Sequence, residues 1–139
     1  MAASEYANAH VVSLSDLNQD DRELFQKSHG SNCPGLTRVD FYGDGAPTFA
    51  LVSLRANDRK AEIVIAHRLQ GRWQTLLADT ADASTVPVVW RERAGKYDDV
   101  YRQRTLNAVR PVVVLCAYES WAILYAWSGK KVEKIWISD

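Results

Sequence analysis

Beyond Gly35 the chain is cut by turn-forming residues into short apolar runs, and this spacing restricts the fold more than any other feature. Stretches near 36–41, 48–55, 60–69, 72–79, 86–92, 111–118, 121–127 and 131–137 are rich in Val, Ile, Thr and aromatics, the composition of strands. Gly43-Asp-Gly, Asn57-Asp58, Gln70-Gly71, Gly95 and Ser128-Gly129 separate them, and reversals need residues that tolerate positive φ. Connections this short cannot make parallel crossovers, so the strands must pair antiparallel. Pro87 and Pro111 suit strand starts, where a missing N–H does no harm. The expected fold is mainly β, with antiparallel sheets, sandwich- or barrel-like, of about eight strands with one N-terminal helix.

The helix is read from Ser13, which with Asp16 has capping-box spacing, followed by Leu14, Leu17, Leu24 and Phe25 at helical intervals up to His29-Gly30. It is expected over about 14–28. Residues 1–12 show no periodicity and read as a flexible lead-in to a single globular domain, 13–139.

Two patterns speak to faces. In 60–69, Ala61, Ile63, Ile65, His67 and Leu69 alternate with Glu62, Val64, Ala66 and Arg68, the mark of a half-buried strand, in which His67 continues the Ile63/Ile65 face and reads as a core or rim histidine rather than a ligand or base. The run 112–118 has no alternation and is expected to be a central strand covered on both faces, with the helix as one cover. The closing hairpin is apolar on both faces, Trp121, Ile123, Tyr125 and Trp127 against Ala122, Leu124 and Ala126. Its second face calls for the helix, a partner or another copy of the chain. Residues 63–76 and 123–135 also echo one another as strand, Gly turn, basic residue, strand, which duplication and generic hairpin chemistry explain equally well. Under duplication, 80–110 is an insertion.

At 139 residues, 47% hydrophobic and 24% charged, the chain can bury a core without metal or disulfide staples. Seventeen basic and seventeen acidic side chains cancel, so no global field draws in nucleic acid. The densest basic cluster, Arg91, Arg93, Lys96, Arg102, Arg104 and Arg110, is interleaved with Glu92, Asp98 and Asp99 and reads as a self-compensating surface. No apolar run approaches the length of a membrane span, and the start lacks the basic and apolar regions of a signal peptide. Cys33 and Cys116 are either a loop thiol and a buried, inert one or one bridge, which would imply an oxidising compartment.

The stretch Asp40-Phe-Tyr-Gly-Asp44-Gly-Ala-Pro-Thr48-Phe-Ala-Leu-Val is an acidic, glycine-rich turn feeding an apolar strand. Calcium loops place hard oxygens at alternate positions because the turning backbone aims only those inward. Asp40, Asp44 and Thr48 fall at such positions, while Tyr42 interrupts them. The alternative is a structural turn in which the aspartates accept backbone N–H bonds. The motif resembles the D-F-N-G-D-G-x-x-D turn of FG-GAP or VCBS-type repeats, over about thirteen residues. That resemblance implies calcium on Asp40 and Asp44, and the closing hairpin resembles the ends of small exported bacterial proteins carrying one such motif. A secreted or periplasmic location follows from the resemblance alone.

His10, His29, His67, Cys33 and Cys116 form no recognised catalytic motif. A carboxylate or calcium-assisted hydrolase around Asp40, Asp44 and Glu119 is the enzyme alternative. The leading expectation is a non-enzymatic binding module, inhibitor- or immunity-like, with a protein partner or self-association. Trp90, Tyr97, Tyr101, Trp121 and Trp127 are its expected anchors.

Overall fold

The computed structural model describes residues 9–55 and 59–138. The expected Asn57-Asp58 turn and positions 1–8 of the lead-in lie outside the described residues. Two sheets carry the architecture. The first holds β1 (Ala9–Val11), β2 (Leu36–Val39), β3 (Thr48–Arg55), β4 (Lys60–Leu69) and β5 (Arg72–Asp82). The second has the order β11 (Val132–Ser138), β10 (Trp121–Trp127), β9 (Val112–Ala117), β6 (Val88–Glu92). A two-stranded hairpin, β7 (Gly95–Asp99) and β8 (Arg104–Ala108), is inserted between β6 and β9. All pairings are antiparallel, as the short connections required.

The described residues thus form eleven strands rather than about eight. The three that periodicity missed are β1, β7 and β8. The first is three residues long, and Lys96, Asp98, Asp99 and Arg104 give the other two the composition of a loop. Ala9–Val11 is not a loose lead-in: it pairs with β3 from Ala9↔Arg55 to Val11↔Ser53. β2 pairs along the same edge of β3, from Leu36↔Leu51 to Val39↔Thr48. Val52 sits at the seam, donating to Gly35 O at 2.7 Å and accepting from Val12 N at 3.0 Å. A Cβ on Gly35 would lie 2.5 Å from Val12 O, so the two segments can meet there only through a glycine.

The helix is shorter and later than expected. The Ser13/Asp16 capping box exists, but it caps a 3₁₀ turn, Leu14–Asp16, which the extended backbone of Leu17 ends. Asn18 then caps α1 (Gln19–His29), accepting from Asp21 N at 2.8 Å. Phe25 is fully buried, whereas Leu24 of the expected stripe is exposed.

The first core cluster lies between the sheets. Ala50, Val52, Ile63 and Ile65 face Val113, Leu115, Ile123 and Tyr125, with Phe25 entering from α1. The second lies on the far side of the second sheet, where Val112, Val114, Leu124, Ala126 and Ile135 are met by Leu106 and Tyr97 of the β7–β8 hairpin. β9 and β10 are therefore covered on both faces, as their unbroken apolar character required. The second cover is that hairpin, not α1, and it also occupies the second face of the closing hairpin. The unit inserted is thus β7–β8, since β6 belongs to the second sheet. Pro87 and Pro111 do stand immediately before β6 and β9.

Candidate functional site

Antiparallel sheets that are covered on one side usually alternate apolar and polar residues. The outer face of the first sheet does not. Inward side chains of β3 and β4 are buried, and the outward set, Phe49 and Leu51 on β3 and Val64 and Ala66 on β4, is also apolar and half-buried. Register places these side by side: Leu36↔Leu51↔Val64 form one row, and Phe49↔Ala66 the next. Arg68↔Trp73 continues the face toward the β4–β5 turn. The result is an open apolar groove of about 590 Å³ that also reaches Val11 of β1.

Trp73 is 53% exposed and Leu36 and Val11 are each 39% exposed, so the face is uncovered among the described residues. Phe49 packs on Trp73 with ring centroids 5.6 Å apart, and the Arg68 guanidinium lies 5.8 Å from that ring. These contacts hold Trp73 standing from the sheet. One end of the face carries Arg38 and Arg68, for which no carboxylate partner occurs among the described residues. At the other end Arg55 is paired with Glu62 at 3.3 Å.

The expected anchors lie elsewhere. Trp90 is packed between His29 at 4.7 Å and Tyr118 at 6.3 Å, and donates to Glu92. Burial lowers the His29 pKa, offset in part by Glu92, and pushes the Tyr118 phenol up to about 12. Tyr97 donates to Arg93 O and covers the second core cluster. Trp127 packs on Tyr42 at 4.7 Å and Trp121 on Trp136 at 6.0 Å. These four aromatics are half-buried and spend their faces within the molecule. Tyr101 alone of the five stands out, 59% exposed and edge-on to Trp136. The exposed aromatic that sequence reasoning passed over is Trp73, and a signal for its face was available: 48–55 is apolar at both odd and even positions.

The 40–48 turn is built by its aspartates. Asp40 Oδ1 accepts from Gly43 N and Asp44 Oδ1 from Ala46 N, both at 2.9 Å. Gly43 has φ of 72°, and a Cβ there would fall 1.4 Å from Nη1 of Arg110, so a guanidinium is packed directly on the turn. Asp40 borders a cleft with Arg91 and Arg93. Thr48 is fully buried, facing between the sheets with Ala50 and Val52. Thr48 thus turns to the inner face of β3, beside His67, because β3 has already begun its alternation there, while the Oδ1 atoms of Asp40 and Asp44 are spent on the turn. Burial, with the Asp44 charge, raises the Tyr42 phenol.

Glu119 does not join Asp40 and Asp44 either. It occupies the turn before Trp121, where its charge, after burial, raises the Asp21 carboxyl. Tyr42 instead contacts Trp127 at the opposite end of β10, and a strand of that length spans about 20 Å. Among the described residues no group of three His, Cys, Asp or Glu is placed to hold a metal. Both cysteines are free thiols, Cys33 exposed and Cys116 half-buried, and burial, with the Asp21 charge, raises the Cys116 thiol to about 11. No helix among the described residues is long and apolar enough to cross a membrane.

The chain matches no family model, no curated protein and no solved structure. Its functional reading therefore rests on its own geometry.

Proposed function

We propose that this protein is a non-enzymatic binding module that takes an apolar, acid-flanked segment of a partner protein on the outer face of its first sheet. The observation that carries the reading is the uncovered apolar face of Leu36, Leu51, Val64, Phe49 and Trp73 on a fully paired stretch of sheet. Apolar area of this kind favours association at roughly 25 cal/mol per Å² removed from water, before the costs of ordering. The uncompensated Arg38 and Arg68 at one end argue for carboxylates on the occupant, since like charge there would be repelled. An inhibitor- or immunity-like role suits a fixed surface of this type. A location outside the cytoplasm remains part of the proposal through the FG-GAP-like motif alone.

The test compares wild type with Phe49→Asp and Tyr101→Ala as immobilised baits in an extract of the native host. Any protein held by wild type and Tyr101→Ala but not by Phe49→Asp is then purified and titrated. Binding that changes Trp73 emission, weakens with added salt and falls at least tenfold in Trp73→Ala supports the reading. A partner retained by Phe49→Asp overturns it. So does a concentration-dependent dimer of the wild type that Phe49→Asp dissolves, which would make a second copy the occupant.

A further inference from the structure

Two buried polar atoms have no hydrogen-bond partner among the described residues: Thr48 Oγ1 and His67 Nε2. Their residues are 0% and 3% exposed. An unmet buried donor or acceptor costs about 1–3 kcal/mol, and native proteins leave few, commonly with an ion or a water as the missing partner. The two are not scattered. Thr48 and His67 are register partners on β3 and β4, so their side chains leave the same face of the sheet as neighbours.

A third group completes the set. Asp44 Oδ2 lies 3.6 Å from His67 Nε2. That is too long for a hydrogen bond, yet close to the roughly 3.4 Å that separates two donors sharing one tetrahedral ion through bonds of about 2.1 Å. Asp44 Oδ1 is already engaged by Ala46 N, which holds the carboxylate with its second oxygen free. The imidazole is held too, by Tyr42 at a ring distance of 4.4 Å, itself braced by Trp127. The Asp44 side chain is 44% exposed, so the carboxylate meets solvent while His67 and Thr48 stay enclosed.

We propose that His67 Nε2 and Asp44 Oδ2 bind a divalent first-row transition ion of the zinc class, with the Thr48 hydroxyl accepting a hydrogen bond from an ion-bound water. The donor set decides the class: imidazole nitrogen suits zinc, cobalt and nickel, whereas calcium and magnesium take oxygen. The site differs from the calcium loop expected from the turn in metal and in ligands, because it uses His67 and leaves Asp40 out. Two charged or nitrogen donors from the protein imply modest affinity. It lies on the inward side of the sheet and does not depend on the groove opposite.

Untagged protein stripped with EDTA is titrated with zinc, cobalt, calcium and magnesium separately, reading thermal midpoint for all and the visible absorption of cobalt. Zinc should raise the midpoint by several degrees and cobalt should develop a ligand-field band. Both responses should be lost in Asp44→Asn, on an exposed turn, and in His67→Gln, and both kept in Asp40→Asn. Near-UV circular dichroism checks that each variant is folded. No response to zinc or cobalt in wild type overturns the proposal and leaves water as the partner of the two atoms. A response that survives Asp44→Asn and His67→Gln places the ion elsewhere and overturns it as well. A rise with calcium alone, lost in Asp40→Asn, would restore the loop site in its stead.

Discussion

At the scale of single residues, Asp79 joins the two sheets. It lies on β5, and its Oδ2 accepts from Tyr125 of β10 at 3.1 Å and from Lys134 of β11 at 2.7 Å. Thr80 N donates to Oδ1 at 3.0 Å. Burial alone would raise this carboxyl, but the bond and charge of Lys134, with the Tyr125 and Thr80 N bonds, outweigh it and hold the pKa below the ordinary value. A depressed folded pKa means stability that is complete above the unfolded value near 3.8 and lost as pH falls through the folded one. Denaturation midpoints should therefore drop on acidification below about pH 4. Asp79→Asn should lower stability at neutral pH by about 1–2 kcal/mol, a figure reduced for the half-exposed Lys134, and should flatten that acid limb. An unchanged pH profile in the variant would remove Asp79 from this role. Burial also drives the Tyr125 phenol strongly upward, so it remains a donor throughout this range.

At the scale of elements, the β7–β8 hairpin does what its charged sequence conceals. Lys96 and Asp98 face solvent while Tyr97 and Leu106 close over Val114, Leu124 and Ile135. It is also tied to the second sheet by Val100 N donating to Trp136 O at 2.9 Å. Leu106→Asp should set a carboxylate against that apolar face, lowering stability by about 2 kcal/mol through lost burial alone and raising binding of a hydrophobic dye. The far-UV spectrum of the two main sheets should persist, because the hairpin contributes no ladder bonds to either. If dye binding stays at the wild-type level, the second cluster has another cover.

At the scale of the whole molecule, the two layers are held without a covalent link, since both thiols are free. Native protein should expose one thiol to a disulfide reagent, Cys33, and the second, Cys116 with its raised pKa, only on unfolding. Added reductant should leave the thermal midpoint unchanged, whereas a bridge would have contributed about 2–5 kcal/mol. Two fast-reacting thiols in the native state would show β9 to be less enclosed than described.

Local chemistry was enough to determine much of this protein from sequence. The Gly and Pro punctuation required antiparallel pairing, the alternation over 60–69 put His67 inside, and the unbroken run at 112–117 required cover on both faces. These follow from properties of adjacent residues: φ preference, the two-residue period of a strand, and the cost of leaving apolar surface wet. Tertiary structure alone decided what supplied each cover and what was left bare. Whether Thr48 met Asp40 or His67 depended on the register of β3 against β4. That Trp73 and Leu36 would stand exposed, while Trp90 and Trp127 turned inward, depended on which strands lay at the edges. Such facts belong to pairs of residues far apart in the chain, and no single stretch of sequence carries the energy of a contact made with another.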